Sequence, residues 1–378
     1  MKHLRPFVIV AIVCSLLFGC SSDDTETPVL TTIEITSPFG SQLILDETAQ
    51  FSARGLDQSG QPITIMVDIT WTVSNANASI NNTGMVNTLV AGNVTVTANV
   101  EGVEGSLDVV ITDIFTQDFH IYVSDAGNLQ SPPWQILRYD QNGQRPRVFI
   151  SQRLAWPQDI LFLESRNEVI VSNLNSGRIT RYDGDTGDYI DDFAIGIGGP
   201  TRMKIGPDGL LYVLQWQGNG RVLRYDLDGN FIDEFTSFSV SNSIGLDWDD
   251  SDNLYVSSFD GAFVRKFDSN GNDMGAFISS NLQGPTNIWF DNNGDLLVND
   301  WNAGVIARFN DLGVFQDNFV IGLNQVEGIA FLPGGNFLVG NGNATVKEFS
   351  SNGAFVRDFV TRGSGGLIQA NAVVRRPL

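Results

Sequence analysis

Cysteine and histidine are nearly missing from this 378-residue chain, which has two of each. Cys14 and His3 fall within an N-terminal apolar leader and Cys20 closes it, so His120 is the only histidine beyond the leader and no thiol follows Cys20. That scarcity excludes a disulfide framework, a thiol nucleophile, Cys/His zinc clusters and Ser-His-Asp triads. Basic residues are scarce too: 22 against 43 acids, a net charge of -21, with Arg54 the single base between residues 20 and 118. Such a field repels phosphate backbones and anionic lipid, so no nucleic-acid partner is expected, while cations and neutral polymers remain open. Charged residues make up only 17% of the chain, against 42% hydrophobic residues, 39 glycines and 13 prolines. This turn-rich composition suits many short strands and argues against helical bundles and disorder.

Lys2 and Arg5 precede a twelve-residue apolar run, Phe7 to Phe18, too short to span a bilayer. The closing Leu17-Phe18-Gly19-Cys20 resembles the bacterial lipobox, which implies a signal peptide over 1–20 and lipidation of Cys20. Ser21 to Pro28 is polar and acidic, cannot bury apolar area and reads as a flexible tether. It is similar to the acidic export signal of surface lipoproteins in the Bacteroidetes. The resemblance implies an outer-membrane lipoprotein displayed on the cell surface, with a periplasm-facing orientation as the alternative, held to the membrane by its lipid alone, and a monomer is expected.

Between residues 29 and 112, period-2 runs such as Val94-Thr95-Val96-Thr97-Ala98 alternate with turn signals, and six or seven strands in that length suit a β-sandwich. The residues Ile33-Glu34-Ile35, Asp68 to Ser74 and Gly84-Met85-Val86, followed by Ala91 to Val96, resemble the bacterial Ig-like group 2 (BIG2) module. Such modules serve as spacers or adhesion units, and Trp71 is expected in its core. A linker is expected at 113–118.

From 119 to 378 the chain repeats. A base, an aromatic and a polar residue recur as Arg138-Tyr139-Asp140, Arg181-Tyr182-Asp183, Arg224-Tyr225-Asp226, Lys266-Phe267-Asp268 and Arg308-Phe309-Asn310, at spacings of 43, 43, 42 and 42. A looser sixth copy is Lys347 to Ser350. A fixed period of this length identifies a repeat architecture. Starts of a further strand precede five of the units, from Pro157, Pro200, Ser243, Pro285 and Val326, while the sixth appears out of order as Ala370 to Val373. A first unit lacking its inner strand, and a last segment supplying one, predict a six-bladed β-propeller closed by the C-terminal strand. The pattern resembles NHL-repeat and gluconolactonase-like (SMP-30/LRE) propellers.

Inner-strand starts and second-strand ends are expected to converge at one mouth of the channel. They carry Gln158, Asp159, Arg202, Asn287 and Glu327, and Asn173, Gln215, Asp300 and Asn341, with Trp216, Phe259 and Trp301 one residue beyond and Trp134 on the first loop. Aromatics beside amides suit a ring-stacking, edge-bonding site, and Arg202 either clamps a carboxylate or neutralises Glu327 and Asp159. Hard oxygen donors at Glu327, Asn287, Asn242 and Asp300 suit Ca²⁺. Resemblance to the gluconolactonase-like enzymes implies a metal-dependent lactonase or esterase, with Asp300 or Asp159 activating water. Two departures weigh against that: one family carboxylate is replaced by Thr286 or Asn287, and Glu327 stands one blade out of order. The reading therefore favours a surface protein binding a glycan, peptide or protein at the propeller mouth, with hydrolysis and a structural role in the envelope as alternatives. Turns such as Asp226-Leu227-Asp228-Gly229 look faintly like calcium loops but recur where hairpins need Asp, Asn and Gly.

Overall fold

The computed structural model describes residues 27–45, 47–112, 118–129 and 131–378. The leader, the lipobox with Cys20, and most of the expected tether and linker lie outside the described residues. Among those described, the structure is β-strand with a few single-turn 3₁₀ segments and no α-helix, as the composition predicts. Two compact units divide at Ile114 and Phe115.

The first unit holds ten strands in three sheets. In the largest, Val103–Thr112 pairs antiparallel with Gly92–Val100, which pairs with Thr70–Val73, and Gln42–Ile44 joins in parallel. The alternation read in Val94 to Val100 is a true pleat: Val94, Val96, Ala98 and Val100 are buried while the residues between them are half-exposed. Leu43, Phe51, Val86, Val109 and Ile111 complete the core, and half-buried Trp71 packs against it.

The second unit consists of six antiparallel four-stranded sheets. Five are contiguous in sequence, with inner strands Pro157–Leu163, Pro200–Ile205, Ser243–Trp248, Pro285–Phe290 and Ile329–Phe331. The remaining sheet takes its inner strand from the C-terminus, where Ala370–Pro377 pairs with Phe119–Asp125. Neighbouring inner edges are bonded in five successive steps. Asn371 Nδ2 donates to the Pro157 carbonyl, Ser172 Oγ to Thr201, Thr201 Oγ1 to Ser243, Ser257 Oγ to Thr286, and Thr286 Oγ1 to Val326. The approach between Gly328 and Asn371 is so close that a Cβ on Gly328 would stand 2.2 Å from the Asn371 carbonyl oxygen.

The recurrent base-aromatic-polar signature is explained at the rim. Arg181, Arg224 and Arg308 each pair with an aspartate of the adjoining outer strand, Asp191, Asp233 and Asp317; Arg181 and Arg308 lie over Phe193 and Phe319 of that strand, and Arg224 over Phe235 just beyond it. The polar residue closes the following hairpin: Asp226 Oδ1 accepts from the Asp228 and Asn230 amides, and Asp268 Oδ1 from Asn270 and Asn272. These Asp turns thus satisfy their own backbone.

Candidate functional site

Three prolines, Pro157, Pro200 and Pro285, open inner strands and have no N–H to give. Each pairs across the sheet with a polar second-strand end: Asn173, Gln215 and Asp300 respectively. Those side chains turn back onto the loop entering the inner strand. Asn173 Oδ1 accepts from Ala155 N (2.8 Å), Gln215 Oε1 from Gly198 N (3.2 Å) and Asp300 Oδ2 from Gln283 N (2.6 Å). Asn341 accepts from Asn324 N (2.7 Å), and Asp125 from the Ile368 and Gln369 amides. Asn173, Gln215, Asp300 and Asn341 are therefore staples for the entering loops, and these side-chain oxygens are spent on the chain itself. Their recurrence at one repeat position was a signal of that role, because a unique site needs no copy in every repeat.

What does converge is a compact ionic cluster. Arg202, 5% exposed, donates from Nη2 to Glu327 Oε1 (3.1 Å) and from Nη1 to Asp159 Oδ1 (3.5 Å) and the Gln158 carbonyl. Asp159 is held by the Met203 and Ile160 amides. With its amide oriented to pair both ends, Gln158 donates to Glu327 Oε1 (3.3 Å) and accepts from Asn371 Nδ2 (3.0 Å) and Trp156 Nε1 (2.8 Å). One guanidinium thus faces two buried carboxylates. Burial pushes the Glu327 carboxyl up to about 7, Arg202 opposing and Asp159 reinforcing the shift. Asp159 is raised as well, by burial, against the pull of Arg202. Of the two roles expected for Arg202, the structure supports neutralisation of Glu327 and Asp159.

The cluster stands between two cavities. Asp159, Arg202 and Asn287 line one of about 290 Å³. The other, about 170 Å³, has four aromatic walls, Trp156, Trp216, Phe259 and Trp301. Leu129, Leu174 and Ile244 complete its apolar lining, and Gln158 and Glu327 are its only polar lining residues. The Trp216 and Phe259 rings lie 5.5 Å apart, and Phe259 meets Trp301 edge-on at 6.4 Å. All four aromatics are half-buried, which leaves ring surface open to a ligand. Larger clefts of about 800 and 780 Å³ lie between adjacent sheets, the first lined from inner-strand Trp289, Phe290 and Phe331 out to Asp317 and Phe319, the second by Asp192 to Ile195 and residues of the next sheet.

Sequence reasoning thus found Trp216, Phe259 and Trp301, which the fold brings together, and missed Trp156. A signal existed: Trp156 adopts φ 56° at the repeat position filled by Gly199 (φ 65°) and Asn242 (φ 52°). A bulky residue there, directly before proline, is strained, and such strain clusters at functional positions. Trp134 does not line the pocket; its Nε1 donates to the Leu129 carbonyl (3.1 Å), holding the loop that does. The residues expected to hold Ca²⁺ are committed separately. Glu327 faces Arg202, and Asn287 caps the Ile288 amide beside the other cavity. Asn242 donates to the Trp216 carbonyl, and Asp300 accepts from Gln283 and Ala303. Among the described residues no three His, Cys, Asp or Glu side chains gather into a cation site. These donors do not fit a shared metal.

No protein-family model matches the chain, and no curated protein matches it. Solved structures do. A protein of unknown function from Bacteroides caccae aligns at 17% identity and TM-score 0.53, over 68% of this chain and 99% of that one. A chain of a nidogen/laminin complex aligns at 14% identity and TM-score 0.56, over 68% and 97%. A gluconolactonase from Xanthomonas campestris aligns at 15% identity and TM-score 0.46, over 62% and 83%. The first two likenesses show the fold, a β-propeller.

Proposed function

We propose that this is a surface-displayed, lipid-anchored binding protein whose six four-stranded sheets form a propeller closed by the C-terminal strand. An Ig-like first unit serves as spacer. The ligand enters the pocket of Trp156, Trp216, Phe259 and Trp301. One observation carries the reading: four half-buried aromatics surround a cavity whose two polar lining residues, Gln158 and Glu327, are both buried. Apolar walls with a few fixed polar groups are the usual make-up of a ligand site. Hydrolysis finds less support, because Glu327 faces Arg202 and the expected metal donors are separately engaged.

The test is a titration of the unlipidated chain from Ser21 with panels of glycans and peptides, read by tryptophan emission. Binding should weaken at least about tenfold in Trp216→Ala and Trp301→Ala, equal to about 1.4 kcal/mol each. A ligand that binds both variants like the parent would place recognition elsewhere and sink the proposal.

A further inference from the structure

The ionic cluster sets two buried carboxyl groups against one guanidinium. Arg202 offers one positive charge to the buried carboxylates of Asp159 and Glu327, and all the protein contacts of the Glu327 carboxylate fall on Oε1. Glu327 Oε2 is left without a hydrogen-bond donor among the described residues, on a side chain 5% exposed that lines the aromatic pocket. Oε2 is not fully shut off from the space of the pocket, and a bound donor with a positive charge would pair it and offset the second carboxylate.

The walls narrow the choice. Aromatic faces attract cations, and more strongly when water is excluded. A sugar ring presents hydroxyls around its whole edge, yet apart from the indole N–H groups only Gln158 and Glu327 are polar in this lining, and the Gln158 amide is already paired at both ends. At about 170 Å³ the cavity is smaller than the roughly 300 to 1,000 Å³ of pockets that enclose a drug-sized ligand. It suits one side chain with an apolar body and a compact charged tip. The net charge of -21 favours encounter with basic partners.

We propose that the pocket receives a lysine side chain presented by a protein partner, its aliphatic stem against Trp216, Phe259 and Trp301 and its ammonium donating to Glu327 Oε2. The inference rests on the pocket being the ligand site and names what enters it. A lysine ammonium is a compact charge with three donors, whereas an arginine fork would need more acceptors than the floor provides.

The experiment titrates Nα-acetyl-lysine amide, its Nε-acetylated counterpart and glucosamine, each up to about 100 mM to reach weak side-chain affinities, into the chain from Ser21, read by tryptophan emission. The charged lysine probe should saturate the signal. Nε-acetylation should weaken it at least about tenfold, and so should Glu327→Gln in a protein that circular dichroism shows to be folded. Equal binding of the two lysine probes, unchanged binding by Glu327→Gln, or silence from the charged probe overturns the assignment, as does binding of glucosamine alone. Trp301→Ala separates the two levels of the argument. If it abolishes binding of some neutral ligand while the probe's charge is irrelevant, the pocket stands as the site and only the lysine assignment falls. If Trp301→Ala affects no ligand, both fail.

Discussion

Replacing Glu327 with glutamine should change how stability depends on pH more than it changes stability at any one pH. The wild-type carboxyl titrates at about 4.5 when unfolded and at about 7 when folded, so the folded state holds the proton more tightly. Its contribution is complete below pH 4.5 and is lost as pH rises through 7. Between pH 5 and 8 that loss comes to about 2.5 kcal/mol. His120 works in the opposite sense. Burial, reinforced by Arg138, Arg376 and Arg147, lowers it from 6.5 to about 4, so folding excludes a proton and stability rises by about 2 kcal/mol from pH 5 to 8. The two slopes oppose each other, and Asp159, raised by burial as well, adds to the Glu327 slope at lower pH, so the wild-type profile alone does not isolate Glu327. The difference profile does, because Glu327→Gln removes one slope and keeps the others. Relative to wild type, the variant should gain about 2 to 3 kcal/mol between pH 5 and 8. The measurement is urea unfolding at pH 5, 6, 7 and 8, followed by tryptophan emission. Parallel profiles, within about 0.5 kcal/mol across that range, would refute the claim that Glu327 is an undercompensated buried acid.

Two further outcomes test the frame that holds the site. Asp300→Ala removes the acceptor for the Gln283 and Ala303 amides and should cost about 2 kcal/mol, seen as a lower urea midpoint with unchanged slope; an unaltered midpoint would show that the staple contributes nothing. Gly245→Ala would set a Cβ 2.1 Å from the Thr286 carbonyl oxygen of the neighbouring inner strand, so a loss of about 1 to 3 kcal/mol is expected by thermal unfolding, and a neutral result would mean the strands separate easily.

Much of the architecture was legible in the chain because its cause is local and repeated. A period of 42 or 43 residues reflects one supersecondary unit that must bury the same face each time, so the base-aromatic-polar signature marks every sheet but the last cleanly. The displaced strand at Ala370 was readable for the same reason, as a unit missing its inner strand leaves an edge to be covered. The scarcity of cysteine and histidine likewise removed whole classes of chemistry before any geometry was known.

The site itself belonged to the tertiary structure. Whether a polar side chain at a strand end faces the channel or bends back onto its own loop depends on which backbone donors lack partners. That is decided only when proline-led inner strands pair with Asn173, Gln215 and Asp300. Trp156 looked like an ordinary loop residue until its left-handed backbone set its ring beside Trp216, Phe259 and Trp301. Residues 159, 202 and 327 were each readable as mouth positions, but Arg202 reaches 43 residues back to Asp159 and 125 forward to Glu327, and only packing of separate sheets brings two acids and one base together out of water. Composition and period set the frame; the burial of two acids with one base at its centre, which no local pattern encodes, sets the chemistry.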